Sequence, residues 1–160
     1  MTVSFIGGDL RSVYAASLLA KRCAVRTYGL PPPAPNPVTS LYAALAGAEA
    51  VVLPLPATRD GVFPCFLPEC GVIPPDFATL FSRAEEEALF LGGAVSPALQ
   101  RQAKEAGLAL IDYYAGERIL QKTAVASAEA AIALSVTEAS FVLDGLRENC
   151  CPVCLPSVRV

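Results

Sequence analysis

Glu129 is the only charged residue between Lys122 and Glu138, inside the apolar run Thr123–Leu134 (TAVASAEAAIAL). A lone carboxylate among apolar side chains is costly to bury as an ion. Burial would raise its pKa and make it a general acid or base. Ser127-Ala-Glu129 also fits a first helical turn, where a glutamate faces unpaired backbone N–H groups.

Gly7-Gly8-Asp9-Leu10-Arg11 follows the short apolar run Val3–Ile6. Two glycines let backbone approach a ligand, and a following helix start offers N–H groups to an anion. The pattern departs from G-x-G-x-x-G, since Ser12 and Val13 stand where the last glycine would fall. A dinucleotide site is therefore not read here, and a tight turn capped by Asp9 is the plain alternative. Thr58-Arg59-Asp60-Gly61 puts a hydroxyl, a guanidinium and a carboxylate on one turn. Arg59 could take a carboxylate in bidentate fashion; an Asp-Gly turn with a solvated arginine fits equally. Gly92-Gly93 with Ser96 is a second glycine-rich turn before a helix start, able to accept a carboxylate or simply to turn the chain.

The six cysteines are Cys23, Cys65, Cys70, Cys150, Cys151 and Cys154, and there is no histidine. Imidazole triads, shuttles and metal ligands are thus excluded. Cys151-Pro-Val-Cys154 with Cys65 and Cys70 could form a four-thiolate zinc site. Its tail position and the wide spacing of the other pair favour free thiols, so no metal is expected.

Short strands alternating with helical patterns must position these residues. Val3–Ile6, Ala24–Tyr28, Ala50–Leu55, Ala88–Leu91 and Leu108–Ile111 read as buried strands bounded by glycine, proline or polar residues. Helical spacing covers Arg11–Lys21, Leu41–Ala48 after Ser40, Asp76–Ser82, and Pro97–Glu105 after Ser96. A short helical turn is expected over Glu117–Leu120. The five prolines between Leu30 and Pro37 demand an extended loop. Pro56–Pro75 is a long irregular connection that a strand or turn near Gly71–Ile73 could interrupt, and Glu85–Glu87 is a solvated charge cluster. This order predicts a parallel, doubly wound sheet with ligands at the carboxyl ends of its strands.

Hydrophobic residues make up 54% of the 160 and charged ones 17%, which suits one ordered domain. The net charge of -3 and the lack of a basic run argue against nucleic acid. No apolar run reaches the roughly 18 residues of a membrane helix. No secretory leader pattern opens the chain, so a cytoplasmic location is expected.

In order and spacing, over about residues 1–145, three segments resemble the N-terminal domain of the A subunit of dipicolinate synthase, a family of sporulation enzymes. Residues 6–11 (IGGDLR) look like the family's IGGD-x-R, and residues 53–61 (LPLPATRDG) are similar to its LP-x-x-x-T. Residues 123–132 (TAVASAEAAI) look like its N-(A/S)-(I/V)-P-T-(A/V)-E-G-x-I. Ala126, Ser127 and Ala130 replace the family's proline, threonine and glycine, and Ser127 keeps a hydroxyl. The resemblance implies two α/β domains laid out as in 2-hydroxyacid dehydrogenases. It implies oxidation of a dihydrodipicolinate-type intermediate by NADP, and work with a small flavoprotein-like B subunit.

The expected fold is a flavodoxin-like or Rossmann-like three-layer α/β sandwich with a five-stranded parallel sheet. A long helix over 123–141 is expected to join the domains. Residues 1–145 form the substrate-side domain, and 146–160 a tail leading toward a missing Rossmann domain. Arg11, Thr58, Arg59, Ser127 and Glu129 are expected to line the cleft, with Glu129 catalytic. Gly7, Gly8, Asp9, Gly92 and Gly93 are expected to set N–H groups against the carboxylates of a small dicarboxylate substrate. NADP belongs to the full-length family, and none is expected to bind this chain alone. The rival reading is a non-enzymatic ligand-binding or dimerisation module, its long apolar helix buried in a homodimer.

Overall fold

The structure, a computed structural model, describes residues 1–58 and 76–138. The chain divides into two units, Met1–Ala115 and Gly116–Val160. The first contains Thr2–Ile6 (β1), Leu10–Leu19 (α1), Ala24–Tyr28 (β2), Leu41–Leu45 (α2) and Ala50–Val52 (β3). It continues with Phe77–Ser82 (α3), Leu89–Gly92 (β4), Pro97–Glu105 (α4) and Ala109–Asp112 (β5). The five strands form one sheet in the order β2-β1-β3-β4-β5, with every pairing parallel. Val3 lies opposite Val25 on one side and Ala50 on the other. The winding reverses between β1 and β3, which is the flavodoxin-like order.

Each helix of this unit starts on a short polar side chain that takes an unpaired N–H. Asp9 accepts from Arg11 N, Ser40 from Ala43 N, Asp76 from Thr79 N and Ser96 from Leu99 N. Such caps contribute about 1 kcal/mol each. Pro97 at the start of α4 loses no bond there, because that N–H would be unpaired anyway.

Helices lie on both faces of the sheet. On one face α2, α3 and α4 bury Leu45, Leu80, Phe81 and Leu99 against Ile6, Val51, Phe90 and Leu110. Phe81 meets Phe90 edge-on at 5.1 Å between centroids. On the other face Val13 and Ala16 of α1 pack on Val3, Phe5 and Val25. That face is less covered toward β5, where Ile111 is 51% exposed.

The proline-rich loop runs beside the edge strand β2. Thr27 N donates to Asn36 O (3.1 Å) and Val38 N to Thr27 O (2.8 Å). Thr27 Oγ1 donates to Pro35 O (2.8 Å), and Asn36 Nδ2 to Val25 O (3.1 Å). An edge strand with unpaired groups invites aggregation, and this loop covers one. Arg26 donates to the carbonyls of Ala43 and Ala46, closing the C-terminal end of α2.

Several boundaries differ from the sequence reading. β3 stops at Val52, since Pro54 has no N–H to continue the ladder. α1 ends at Leu19 rather than Lys21, and α2 at Leu45 rather than Ala48. In the second unit, the expected turn at Glu117–Leu120 and the helix from Thr123 are one helix, Glu117–Glu138 (α5). Thr123 does not start it; its hydroxyl donates back to Ile119 O at 2.9 Å. The possible strand near residues 71–73, Arg59, the helix end at 141 and five of the six cysteines lie outside the described residues. Among the described residues, no helix is long and apolar enough to cross a membrane.

Candidate functional site

The carboxyl ends of β1, β3, β4 and β5 are joined by short polar contacts. At the end of β1, Gly7 and Gly8 have φ of 66° and 125°, a region that other residues rarely adopt. A Cβ on Gly8 would stand 2.2 Å from Ser12 Oγ, so α1 can begin this close to the strand only with glycine there. The Gly7 N–H donates to Tyr28 O at 2.8 Å and prolongs the β1–β2 ladder. It is therefore not presented to a substrate, contrary to the sequence reading.

Asp9 and Arg11 form a unit. Asp9 accepts from Arg11 N (2.9 Å) and Arg11 Nε (2.8 Å), and its Oδ2 stands 2.5 Å from Arg11 Nη2. Nη2 also donates to Leu55 O at 2.9 Å, tying α1 to the exit of β3. The hydrogen bond from Arg11 holds the Asp9 carboxyl below the usual carboxylate range, against a smaller opposing effect of burial. The guanidinium is raised in turn by Asp9. The result is a cation held in one place at a strand end.

The exits of β3, β4 and β5 are fastened to one another. Gly93 N donates to Pro54 O (3.3 Å), Ala57 N to Gly93 O (2.7 Å) and Tyr113 N to Gly92 O (3.0 Å). Gly93 thus offers its amide to Pro54 and not to a ligand, a second correction. The amides just beyond it do hold a carboxylate, and that carboxylate is the chain's own. Asp112 accepts from Ala94 N (3.1 Å), Val95 N (2.9 Å) and Tyr114 N (2.8 Å). An external anion finds that position filled. Gly93 serves instead as a seat: a Cβ there would lie 2.6 Å from Leu55 Cδ1 and 2.8 Å from the Tyr113 hydroxyl.

These pieces enclose a cavity of about 260 Å³ at the switch point. Phe5, Ala15, Val52 and Leu55 give it an apolar lining, and Asp9, Arg11, Ser12 and Tyr113 add polar groups. Its size falls just under the ~300 Å³ lower end for drug-sized ligands, which suits a small acid. Two larger hollows, of about 520 and 560 Å³, lie between α3 and α4 and along the C-terminal half of α1. Neither gathers residues from more than one strand exit.

Of the residues singled out in the sequence, Asp9 and Arg11 meet in this cavity. Gly7, Gly8, Gly92 and Gly93 shape its surroundings without lining it. Thr58 is half-buried beyond β3 and outside the lining. Ser127 and Glu129 are both exposed on α5, so the burial behind the acid–base reading of Glu129 is not there. Tyr113 and Asp112 are additions. Their position just after a strand was the available signal, since such ends collect ligand-binding residues.

The site does not fit a dinucleotide. The Gly7 amide is engaged, and Asp9 sets a carboxylate where a pyrophosphate would lie. Among the described residues, no group of three or more His, Cys, Asp or Glu side chains is placed to hold a metal ion.

A family model described as the N-terminal domain of the dipicolinate synthase A subunit matches residues 2–114. The fold is similar to that of dipicolinate synthase, A chain, from Bacillus subtilis, with a TM-score of 0.69 and 17% identity, over 91% of this chain and 50% of that one. It is similar also to the A subunit of dipicolinate synthase from Bacillus halodurans, with a TM-score of 0.70 and 17% identity, over 89% and 50%. The chain thus spans about half the length of the solved structures it matches. Comparison with curated proteins found no match.

Proposed function

The chain belongs to the family of the N-terminal domain of the dipicolinate synthase A subunit, and from that premise we propose that it is the substrate-side half of an oxidoreductase. In this reading the complete enzyme converts a dihydrodipicolinate-type intermediate into dipicolinate during sporulation, in the cytoplasm. NADP takes the hydride on a Rossmann half that residues 1–138 do not supply, with the help of a B subunit. The misfit of the β1–α1 turn to a pyrophosphate supports that division of labour.

The observation that carries the reading is Arg11. It is a guanidinium lining a small, largely apolar cavity at the switch point of a parallel sheet. Such a site suits a flat organic acid: the apolar lining takes the ring, and Arg11 Nη1, which neither Asp9 nor Leu55 engages, takes a carboxylate oxygen. Ser127 and Glu129 enter only through the family segment they belong to.

The test is a calorimetric titration of dipicolinate into the chain and its Arg11→Leu variant. A hydrogen bond to a charged group contributes about 1.5–3 kcal/mol, so the variant should bind roughly 10- to 100-fold more weakly. Absence of binding to the unaltered chain would remove the reading.

A further inference from the structure

Tyr113 lines the same cavity as Arg11. Its backbone is fixed on both sides. Tyr113 N donates to Gly92 O at 3.0 Å, and Asp112 beside it accepts three amides. Its hydroxyl lies 2.8 Å from where a Cβ on Gly93 would stand, so only glycine leaves that place open. Among the described residues, the Tyr113 hydroxyl makes no hydrogen bond. A half-buried phenol that lines a cavity, on a fixed backbone and with no hydrogen bond of its own, is a donor prepared for something that enters it.

We infer that Tyr113 is the second anchor of the ligand, its hydroxyl donating to a second carboxylate while Arg11 holds the first. The inference rests on the functional reading above and sharpens it. A clamp of one cation and one neutral donor selects small acids with two carboxylates over those with one. Arg11 fixes the charge, and Tyr113 fixes the orientation of the ring on Phe5 and Val52. The raised pKa of the phenol, caused first by burial, keeps it a donor at neutral pH.

The test compares dipicolinate with picolinate, which lacks the second carboxylate, on the unaltered chain, Tyr113→Phe and Arg11→Leu. Phenylalanine keeps the ring and its packing, and the thermal midpoint checks that the fold is intact. Loss of a hydrogen bond to a charged acceptor should weaken dipicolinate about tenfold or more in Tyr113→Phe. Picolinate binding should change little, and Arg11→Leu should weaken both. Equal loss of both ligands in Tyr113→Phe, or no loss of either, would overturn the role given to Tyr113 while leaving that of Arg11 in place. If dipicolinate fails to bind even the unaltered chain, the functional reading falls, and this inference with it.

Discussion

At the scale of single residues, the polar groups lining the cavity carry pKa shifts of both signs. Arg11 lowers Asp9, so the carboxylate persists and contributes its stability in full above the ordinary carboxylate value of about 4; that contribution is lost as the pH falls below it. Burial raises Tyr113, so its phenol stays neutral past the ordinary value of about 10. An ionised Tyr113 would repel a carboxylate ligand and could no longer donate. Dipicolinate affinity should therefore be flat from about pH 6 to pH 9 and fall as the pH rises through the raised pKa, above about 10. A titration series by calorimetry checks this; a fall centred near pH 7 would point to another group. Arg11 was picked out in the sequence through the segment IGGDLR, which looks like the family's IGGD-x-R. Tyr113 was not, because its role depends on Gly93 and Leu55, which reach it only through the fold. The exposure of Glu129 was not legible for a related reason: a small-residue helix looks buried in sequence, yet an apolar pattern does not say that anything covers it.

At the scale of elements, the strands and caps were legible. Short β-rich runs stopped by Gly or Pro fixed the sheet, and Asp9, Ser40, Asp76 and Ser96 each announced a helix. The glycine turns were located correctly but given the wrong task. Whether an amide is free depends on the neighbouring strand, and Tyr28 O and Pro54 O take those of Gly7 and Gly93. The seat formed by Gly93 can be tested against a control. In Gly93→Ala the new methyl meets Leu55 and Tyr113 at 2.6–2.9 Å. Overpacking of this kind costs about 1–3 kcal/mol. The displaced Tyr113 should also reproduce the selective loss of dipicolinate. Gly47 has φ of 63° with nothing within 4 Å of a Cβ. Gly47→Ala should therefore cost about 1 kcal/mol of backbone strain and leave binding alone. Denaturant titrations with parallel binding curves separate the two. Equal binding by both variants would show that Tyr113 does not need its seat.

At the scale of the whole molecule, the two units carry unequal shares of the apparatus. Both hydrophobic clusters lie between Val3 and Leu110, and the cavity lining runs from Phe5 to Tyr113. All of these fall within Met1–Ala115. A chain ending at Ala115 should therefore keep its cores, its caps and its ligand site. Its cooperative unfolding should persist, with a stability loss under about 1 kcal/mol, or a midpoint shift of no more than roughly 4–8 °C for a domain of this size. Dipicolinate should bind within about threefold of the full chain, a difference of less than about 1 kcal/mol. What the cut removes is apolar surface: Val125 and Ile132, seven residues apart on α5, are each 60% exposed. Seven residues is close to two helical turns, so they share a face, and an exposed apolar face favours self-association. Sedimentation should accordingly show the full chain associating and the shortened one monomeric. If the cut abolishes dipicolinate binding while leaving the fold intact, residues from Gly116 onward belong to the site, and Ser127 and Glu129 return as candidates for contact with the ligand. If binding survives, the ligand is held by the sheet unit alone, and α5 serves to connect or to associate.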